Sequence, residues 1–311
     1  MSSLPTEQQN KLKKAAAAGS VCLAVFLTLI KTAGVFYTGS LAVLSSMIDS
    51  LADLFASSIT YFAVRVSAQP ADFSHRYGHG KAEALSALIQ SAFIMGSGLF
   101  VMYDGINRFI TPAPLTQTSF GIAVMAVSLA LTLILIFFQR HVAECTRSQA
   151  IRADAAHYTV DVVTNASIIL SLIVVKVFDA SWFDTVTALV ISVYLIANAR
   201  KLAKDAVAML MDKELGNGIR EKLRRLVLSC DHVEGMHDLR TRDLGGQYMF
   251  ELHLELDGNL SLLEAHRYSD EVETKIKEIF PGSQVIIHQD PAGLYEKRLD
   301  EEIGSPRNNH P

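Results

Sequence analysis

The chain has 311 residues, of which 50% are hydrophobic and 19% are charged, and its formal net charge is −4. This small charge gives no indication of a nucleic-acid partner, and three cysteines without a CxxC pair exclude disulfides or a thiolate zinc site as the basis of the fold. The mean hydropathy of +0.26 is high for a soluble protein, and most charged residues follow Arg200. These features indicate a membrane protein with a soluble C-terminal part.

Six apolar runs before Arg200 are predicted to form transmembrane helices, because about 20 apolar residues span a bilayer. Lys31 interrupts the first run, and its long stem is predicted to carry the ammonium group outward. Lysine and arginine gather before the first run and in the loops after the second, fourth and sixth runs, so both termini are predicted to be cytoplasmic. The runs cover residues 15–37, 41–64, 82–107, 120–138, 149–178 and 182–199.

From about Asp212 the composition becomes that of a soluble domain. Polar and apolar side chains alternate in residues 247–257, which predicts a strand with one buried face. The predicted order of helix, strand, strand, helix and strand indicates a small α+β domain with its helices on one face of a three-stranded sheet. These elements are predicted at residues 217–229, 233–244, 247–257, 262–280 and 284–289.

The predicted fold is therefore an all-α, six-helix transmembrane domain followed by a small α+β cytoplasmic domain. The membrane domain is predicted to comprise residues 1–211 and the cytoplasmic domain residues 212–297. Residues 298–311 are polar and contain two prolines, so they are predicted to form a disordered tail.

Two pairs of ionisable residues lie within the apolar runs: Asp49 with Asp53, and His157 with Asp161. Their i,i+4 spacing places each pair on one face of a helix. A single Asp at the centre of a membrane helix costs about 2.5 to 3.5 kcal/mol, and such residues mark ion paths by default. One alternative is a set of hydrogen-bonded polar residues between helices. The paired spacing favours a four-coordinate divalent metal held between two helices.

The cost of placing ionised carboxylates inside a membrane also suggests how the site works. Without metal, clustered carboxylates in a low-dielectric setting take up protons, and His157 exchanges a proton near neutral pH. Metal and protons then compete for one site, which leads to the hypothesis of a metal/proton antiporter. Mixed imidazole and carboxylate ligands suit zinc, ferrous iron, cobalt, cadmium or manganese, and we expect zinc together with ferrous iron and cadmium.

Three further sets of residues are candidate sites. The loop residues Asp72, His75 and His79 are either metal ligands or part of a solvated loop. The opposite charges of Lys81 and Asp212 are predicted to pair at the junction of membrane and soluble domain. In the soluble domain the candidate metal ligands are His237, His253, His266, His288 and Asp290. The alternatives are that His253 lies on a solvated strand face and that His266 is an exposed helix residue, and metal binding is favoured over both.

At these residues the sequence resembles the cation diffusion facilitator family, and within it the bacterial ferrous-iron and zinc efflux pumps. The similarity covers nearly the whole chain, from the first predicted span to about Pro291. One departure is that Ala155 and Ala156 precede His157, where relatives often carry a bulkier apolar residue. The motifs that carry the resemblance are Asp49-x-x-x-Asp53, His157-Tyr158-x-x-Asp161, HRYGHGKAE, HDLRTR, HLELDGNLSLLEAH and IIHQDP.

The resemblance implies a homodimer in the bacterial inner membrane that exports zinc, ferrous iron or cadmium in exchange for protons. It implies alternating access in the membrane domain and a ferredoxin- or metallochaperone-like cytoplasmic domain that forms most of the dimer contact. It also assigns the sites: the Asp49, Asp53, His157 and Asp161 transport site, the Asp72, His75 and His79 loop site, and a binuclear zinc site formed by His237, His253, His266, His288 and Asp290. In this assignment Asp290 bridges two metals, Gln289 lies near the dimer contact, and Lys81 and Asp212 form a charge interlock.

Two other classes of function fit the sequence less well than transport. A membrane metalloenzyme lacks support, because the chain has neither an HExxH nor a GxSxG motif and no nucleophile with a partnered base. A metal sensor with a membrane anchor would not need Asp49 and Asp53 inside the bilayer. The sequence therefore favours a transporter without enzymatic activity, whose partners are metal ions, protons, membrane lipid and a second copy of the chain.

Overall fold

The computed structural model describes residues 5–38, 41–110, 119–178, 182–295 and 297–303. The chain divides into two compact units, Met1–Leu210 and Met211–Pro311. The first unit is helical, and the second combines helices with a sheet. This division lies next to the boundary that the change of composition predicts at Asp212.

Six helices of 27 to 33 residues form the first unit. At a rise of 1.5 Å per residue each is about 40 Å long or more, which exceeds the hydrocarbon thickness of a bilayer. Several helices extend well past their apolar runs, because the flanking Glu, Gln, Lys and Ala residues are good helix formers. The helices are α1 (Thr6–Thr38), α2 (Leu41–Ser67), α3 (Ala82–Ile110), α4 (Ser119–Thr146), α5 (Gln149–Phe178) and α6 (Trp182–Leu210).

Four stretches within the described residues are long and apolar enough to cross a membrane: Glu7–Gly34, Ala82–Asn107, Val127–Thr146 and Val186–Leu210. They belong to α1, α3, α4 and α6. The side chains of α2 and α5, which carry the predicted intramembrane ligands, are described only in part. That these two helices also span the membrane remains a prediction.

Small residues allow close helix packing in this unit. Ala87 and Ala199 are fully buried in the cluster that α3 and α6 share with α5. Gly98 of α3 contributes to this close packing, because a Cβ atom at this position would lie 3.1 Å from the side chains of Leu195 and Ile196 of α6. A second cluster, which includes Ala16, Val142 and Ala150, joins α1, α2, α4 and α5.

A buried ion pair connects the ends of several helices. The Glu83 carboxylate accepts hydrogen bonds from Lys13 Nζ at 2.9 Å, Ser67 Oγ at 3.0 Å and Ser148 Oγ at 2.5 Å. These residues lie in α1, at the end of α2, at the start of α3 and just before α5, where Ser148 Oγ also accepts from the Ile151 N–H. Because both charges are buried and hydrogen-bonded, the pair holds four helices together at one end of the bundle.

The second unit has the predicted order of elements and the predicted arrangement. Its sheet has the order β1-β2-β3, with β1 and β2 antiparallel and β2 and β3 parallel. Alternate residues of β2, such as Phe250 and Leu254, are buried against Leu223 of α7 and Ile276 of α8, so both helices cover the same face. The elements are α7 (Asn217–Leu228), β1 (Gly235–Asp243), β2 (Tyr248–Leu256), α8 (Leu262–Ile279), β3 (Gln284–Pro291) and α9 (Leu299–Glu302).

The C-terminal segment differs from its prediction. The sequence predicts a tail without regular structure from residue 298, whereas Leu299–Glu302 form a one-turn helix, α9. The physical reason is tertiary: Arg298 forms an ion pair with Glu255, and the Leu299 N–H donates to Asp238 Oδ2 at 2.9 Å. The remainder of the predicted tail, residues 304–311, lies outside the described residues.

The buried ion pair gives a test of the fold. Glu83→Ala leaves the Lys13 ammonium buried without its counter-ion, and breaking such a pair costs about 3–5 kcal/mol. We expect a loss of stability of this order in unfolding experiments on the purified protein in detergent. The control is Glu7→Ala, which removes an exposed pair with Lys11 and should leave the unfolding midpoint unchanged. Equal midpoints for the two variants would contradict the role given to Glu83.

Candidate metal centres

The first centre lies between α2 and α5. Asp53, His157 and Asp161 each offer one ligand atom, and the three atoms lie within 4.8 Å of one another. His157 Nε2 is 3.2 Å from Asp53 Oδ1, and the His157 side chain is only 7% exposed. Its other nitrogen, Nδ1, is buried without a hydrogen-bond partner among the described residues. Two carboxylates and one imidazole that converge in this way suit a divalent transition metal.

The fourth predicted ligand is not part of this group. Asp49 is exposed, and among the described residues the group within 4.8 Å contains Asp53, His157 and Asp161 alone. The i,i+4 spacing alone does not exclude Asp49, because His157 and Asp161 have the same spacing and lie in one group. Asp49 would have to turn toward Asp53 to become a ligand.

Two other ionisable residues near this centre have roles that the sequence did not reveal. Asp154, three residues before His157, is fully buried and accepts from Ser20 Oγ at 2.5 Å and Gln139 Nε2 at 2.6 Å. Its partners lie in α1 and α4, so Asp154 connects helices. Lys31 was predicted to point outward, but its Nζ donates to Ser50 Oγ of α2 at 2.7 Å. Neither contact follows from sequence spacing, because each joins different helices.

The second centre is the loop between α2 and α3. Asp72, His75 and His79 offer ligand atoms within 4.8 Å of one another. The N–H groups of His75 and Ser74 donate to Asp72 Oδ1 at 2.6 and 2.9 Å, and these bonds lower the pKa of the Asp72 carboxyl. The other oxygen, Oδ2, lies 3.4 Å from His79 Nε2, while His79 Nδ1 is buried without a partner among the described residues. The loop folds back on itself, as a ligand set here requires.

The third centre lies on the open face of the sheet in the second unit. The strand register aligns His237 of β1 with His253 of β2, and His253 with His288 of β3. Asp290 follows two residues after His288 and therefore points to the same face. His237, His253 and Asp290 offer ligand atoms within 4.8 Å of one another. Sheet pairing thus brings together residues that are far apart in the chain.

Both oxygens of Asp290 face imidazoles. Oδ2 lies 2.8 Å from His253 Nδ1 and 3.5 Å from His237 Nε2, and Oδ1 lies 3.2 Å from His288 Nε2. A carboxylate with nitrogen donors at each oxygen has the arrangement that a bridge between two metals needs. The Asp290 side chain is 10% exposed, whereas that of His288 is 65% exposed. The second metal position would therefore be the more open one.

Three predicted residues lie outside these groups. His266 pairs with Asp270 one turn further along α8, at 3.5 Å, and is not among the clustered ligands that the structure describes. Lys81 immediately precedes α3, and Asp212 accepts from Arg242 Nη1 at 3.4 Å. Because Lys81 and Asp212 belong to different units, their predicted pairing remains a prediction.

The chain is similar to known proteins along most of its length. Residues 18–211 match the model of the cation efflux transmembrane domain, and residues 215–292 match that of the cation efflux protein cytoplasmic domain. The cation-efflux pump FieF of Escherichia coli, in strains E24377A and K12, is 42% identical over 293 residues, which are 93% of this chain and 96% of the relative. The chain belongs to the cation-efflux, or cation diffusion facilitator, family.

Solved structures of two other proteins are similar to about a quarter of this chain. A proposed zinc transporter, CzrB, in its zinc form, is 33% identical over 28% of this chain and 99% of that chain, with a TM-score of 0.26. The metal-bound C-terminal domain of the CzcD transporter from Thermotoga maritima is 24% identical over 25% of this chain and 93% of that chain, with a TM-score of 0.25.

Membership of the cation-efflux family establishes a membrane transporter rather than an enzyme. The predicted fold, a helical membrane domain followed by a small α+β domain, is confirmed. The three clusters therefore lie in a protein that moves cations, and each combines imidazole with carboxylate. That donor set suits divalent transition-metal ions, whether transported or resident, better than the soft monovalent ion Cu(I).

The sheet centre can be tested through its shared carboxylate. Asp290→Asn removes the charge that faces three imidazoles, so we expect the purified protein to retain at least one zinc ion fewer per chain after dialysis, as measured by elemental analysis. The control is Glu221→Gln on α7, whose partner is the exposed Arg225, and its zinc content should not change. An unchanged zinc content in Asp290→Asn would remove Asp290 from the ligand set.

Proposed function

We propose that this cation-efflux protein exports zinc, and also ferrous iron and cadmium, in exchange for protons across the bacterial inner membrane. The transported metal binds at Asp53, His157 and Asp161, and Asp49 joins the site as the fourth ligand when metal is bound. Alternating exposure of this site to the two sides of the membrane moves the metal. The loop and sheet clusters bind zinc on the cytoplasmic side, where both termini lie.

The observation that supports exchange for protons is the contact between His157 Nε2 and Asp53 Oδ1 at 3.2 Å. An ionised carboxylate only accepts hydrogen bonds, so a proton on Nε2 is needed to make this contact favourable. A metal that binds Nε2 must displace that proton. The same atoms therefore hold either a proton or a metal, which is the requirement for antiport at a single site.

Charge balance supports the same conclusion. Asp53 and Asp161 lie in a partly buried setting, where like charges at close range are unfavourable unless a cation or protons neutralise them. Lys31, which contacts α2 at Ser50, contributes a positive charge to this region. A dication neutralises the two carboxylates, and protons do so when the metal has left. The site is thus never required to hold its full negative charge in the membrane.

The choice of metals follows from the ligands. One imidazole with two or three carboxylates is a harder donor set than that of a cysteine-rich zinc site, which supports zinc with ferrous iron and cadmium as further substrates. The relative that is 42% identical to this chain is a cation-efflux pump. The protein works as a homodimer joined chiefly through its cytoplasmic domain, with Gln289 near the contact and Lys81 and Asp212 as a charge interlock.

Transport by purified protein in proteoliposomes tests the proposal. Asp53→Ala removes the carboxylate that contacts His157, so we expect zinc flux to fall by at least about a hundredfold, while the protein still inserts and purifies with the same oligomeric state. The matched control is Asp205→Asn, which breaks an exposed pair with Arg152 in the same unit and should leave the flux unchanged.

An imposed pH gradient tests the coupling to protons. If protons exchange for metal, a gradient that is acidic on the side to which zinc is delivered should accelerate zinc transport, and an opposite gradient should slow it. Equal zinc flux under both gradients would refute proton exchange, while zinc flux in Asp53→Ala equal to that of the unmodified protein would refute the proposed site. Parallel assays with ferrous iron, cadmium and manganese define the range of substrates.

A further inference from the structure

A chain of polar contacts leads from the sheet metal centre to the C-terminal segment, most of which the sequence assigns to a disordered tail. We propose that Glu255 is a positioning residue for the ligand His237, and that residues 297–303, here named the α9 segment, dock on Glu255 and reinforce zinc binding at this centre. The inference rests on the proposed zinc site of the sheet. It adds to that site a positioning residue and a coupled segment, neither of which belongs to the predicted ligand set.

The contact between Glu255 and His237 fixes the orientation of the imidazole. Glu255 Oε1 lies 2.8 Å from His237 Nδ1, and both side chains are largely buried. Because a carboxylate only accepts, Nδ1 carries the proton, and Nε2 is left free on the side of Asp290 Oδ2, at 3.5 Å. A carboxylate that holds the non-ligating nitrogen of a histidine in this way selects the tautomer and raises the basicity of the ligating nitrogen.

The neighbouring residue in the sheet leaves room for this carboxylate. Gly235 of β1 is the register partner of Glu255 in β2. A Cβ atom on Gly235 would lie 2.6 Å from Glu255 Oε2, which is too close for any side chain to be added without moving the carboxylate. Gly235, Glu255 and Asp290 form the row next to the three aligned histidines. In this row Gly235 leaves room for the carboxylate, Glu255 positions His237, and Asp290 is a proposed ligand.

The α9 segment binds to the same carboxylate. Arg298 Nη2 donates to Glu255 Oε1 at 2.8 Å, the oxygen that also accepts from His237. The backbone N–H of Leu299 donates to Asp238 Oδ2 at 2.9 Å. Asp238 directly follows His237, at the irregularity where the pairing of β1 with β2 shifts, and has a φ of +49°. The segment is thus held at two points beside one metal ligand.

These contacts make docking and zinc binding interdependent. Arg298 holds Glu255 in the position that orients His237, and a bound zinc ion fixes His237 and with it Glu255. By linkage, a segment that strengthens zinc binding is itself held more tightly when zinc is bound. The match to the cytoplasmic-domain model ends at residue 292, so the segment lies beyond the part that the family model defines.

Zinc affinity of the full-length protein in detergent provides the first test. All variants carry Asp53→Ala and Asp72→Ala, so that competition with a chromophoric chelator reports on the sheet centre. Glu255→Gln keeps the size of the side chain and removes its charge, and we expect about a tenfold loss of affinity. Gly235→Ala displaces the carboxylate and should give a similar loss. Arg298→Gln acts through Glu255, and we expect a loss of at least about threefold.

The matched control is Lys297→Gln. Lys297 precedes Arg298 and pairs with Glu302 inside the α9 segment, without contact to the metal ligands described here. Its replacement should leave zinc affinity unchanged. Affinities of Glu255→Gln, Gly235→Ala and Arg298→Gln within twofold of the background would overturn the proposal.

Limited trypsin digestion tests the coupling in the other direction. In the Lys297→Gln background, cleavage after Arg298 reports undocking of the segment, because the Leu299 N–H must leave Asp238. We expect added zinc to slow this cleavage severalfold, and to have no effect when His253→Ala removes a ligand. Normal zinc binding without protection at Arg298 would refute the coupling. A folded background protein that binds no zinc would instead refute the sheet site itself, and the inference with it.

Discussion

A carboxylate inside a helix bundle is stable only when a neighbouring group compensates its charge, and the membrane unit meets this constraint in three ways. Glu83 is paired with Lys13 and receives two serine hydroxyls. Asp154 is held by neutral donors from α1 and α4. Asp53 and Asp161 face His157. In the third arrangement alone the compensating group is an imidazole, which can bind either a proton or a metal ion, and under the proposed function this distinguishes the transport site from a structural contact.

The soluble unit solves a related problem with a sheet. Strand pairing sets three histidines side by side across β1, β2 and β3, and a second row beside them carries Glu255 and Asp290. The opposite face of β2 is buried under α7 and α8, so the face that carries the histidines, Glu255 and Asp290 is the one left uncovered by these helices. Strand pairing therefore holds the candidate ligands next to one another. The α9 segment then adds a contact from outside the sheet, through Arg298.

All three clusters place an imidazole next to a carboxylate, and this shared chemistry has a common consequence. A metal ion and a proton cannot occupy the same imidazole nitrogen, so under the proposed function they compete for each ligating histidine. Under the proposed function, the membrane cluster uses this competition to move metal against protons. The clusters outside the membrane would be filled according to the metal concentration in the cytoplasm.

The sequence alone determined the six helices, the α+β domain and nearly all candidate ligands, because apolar periodicity and i,i+4 spacing are local properties. It did not determine that Asp49 lies outside the group that Asp53 forms with α5, that Lys31 bonds to α2, or that Arg298 docks on Glu255. Those facts depend on how helices pack and on strand register, which bring together residues distant in the chain. Local spacing identifies which side chains share a face, but only tertiary packing decides which of them meet.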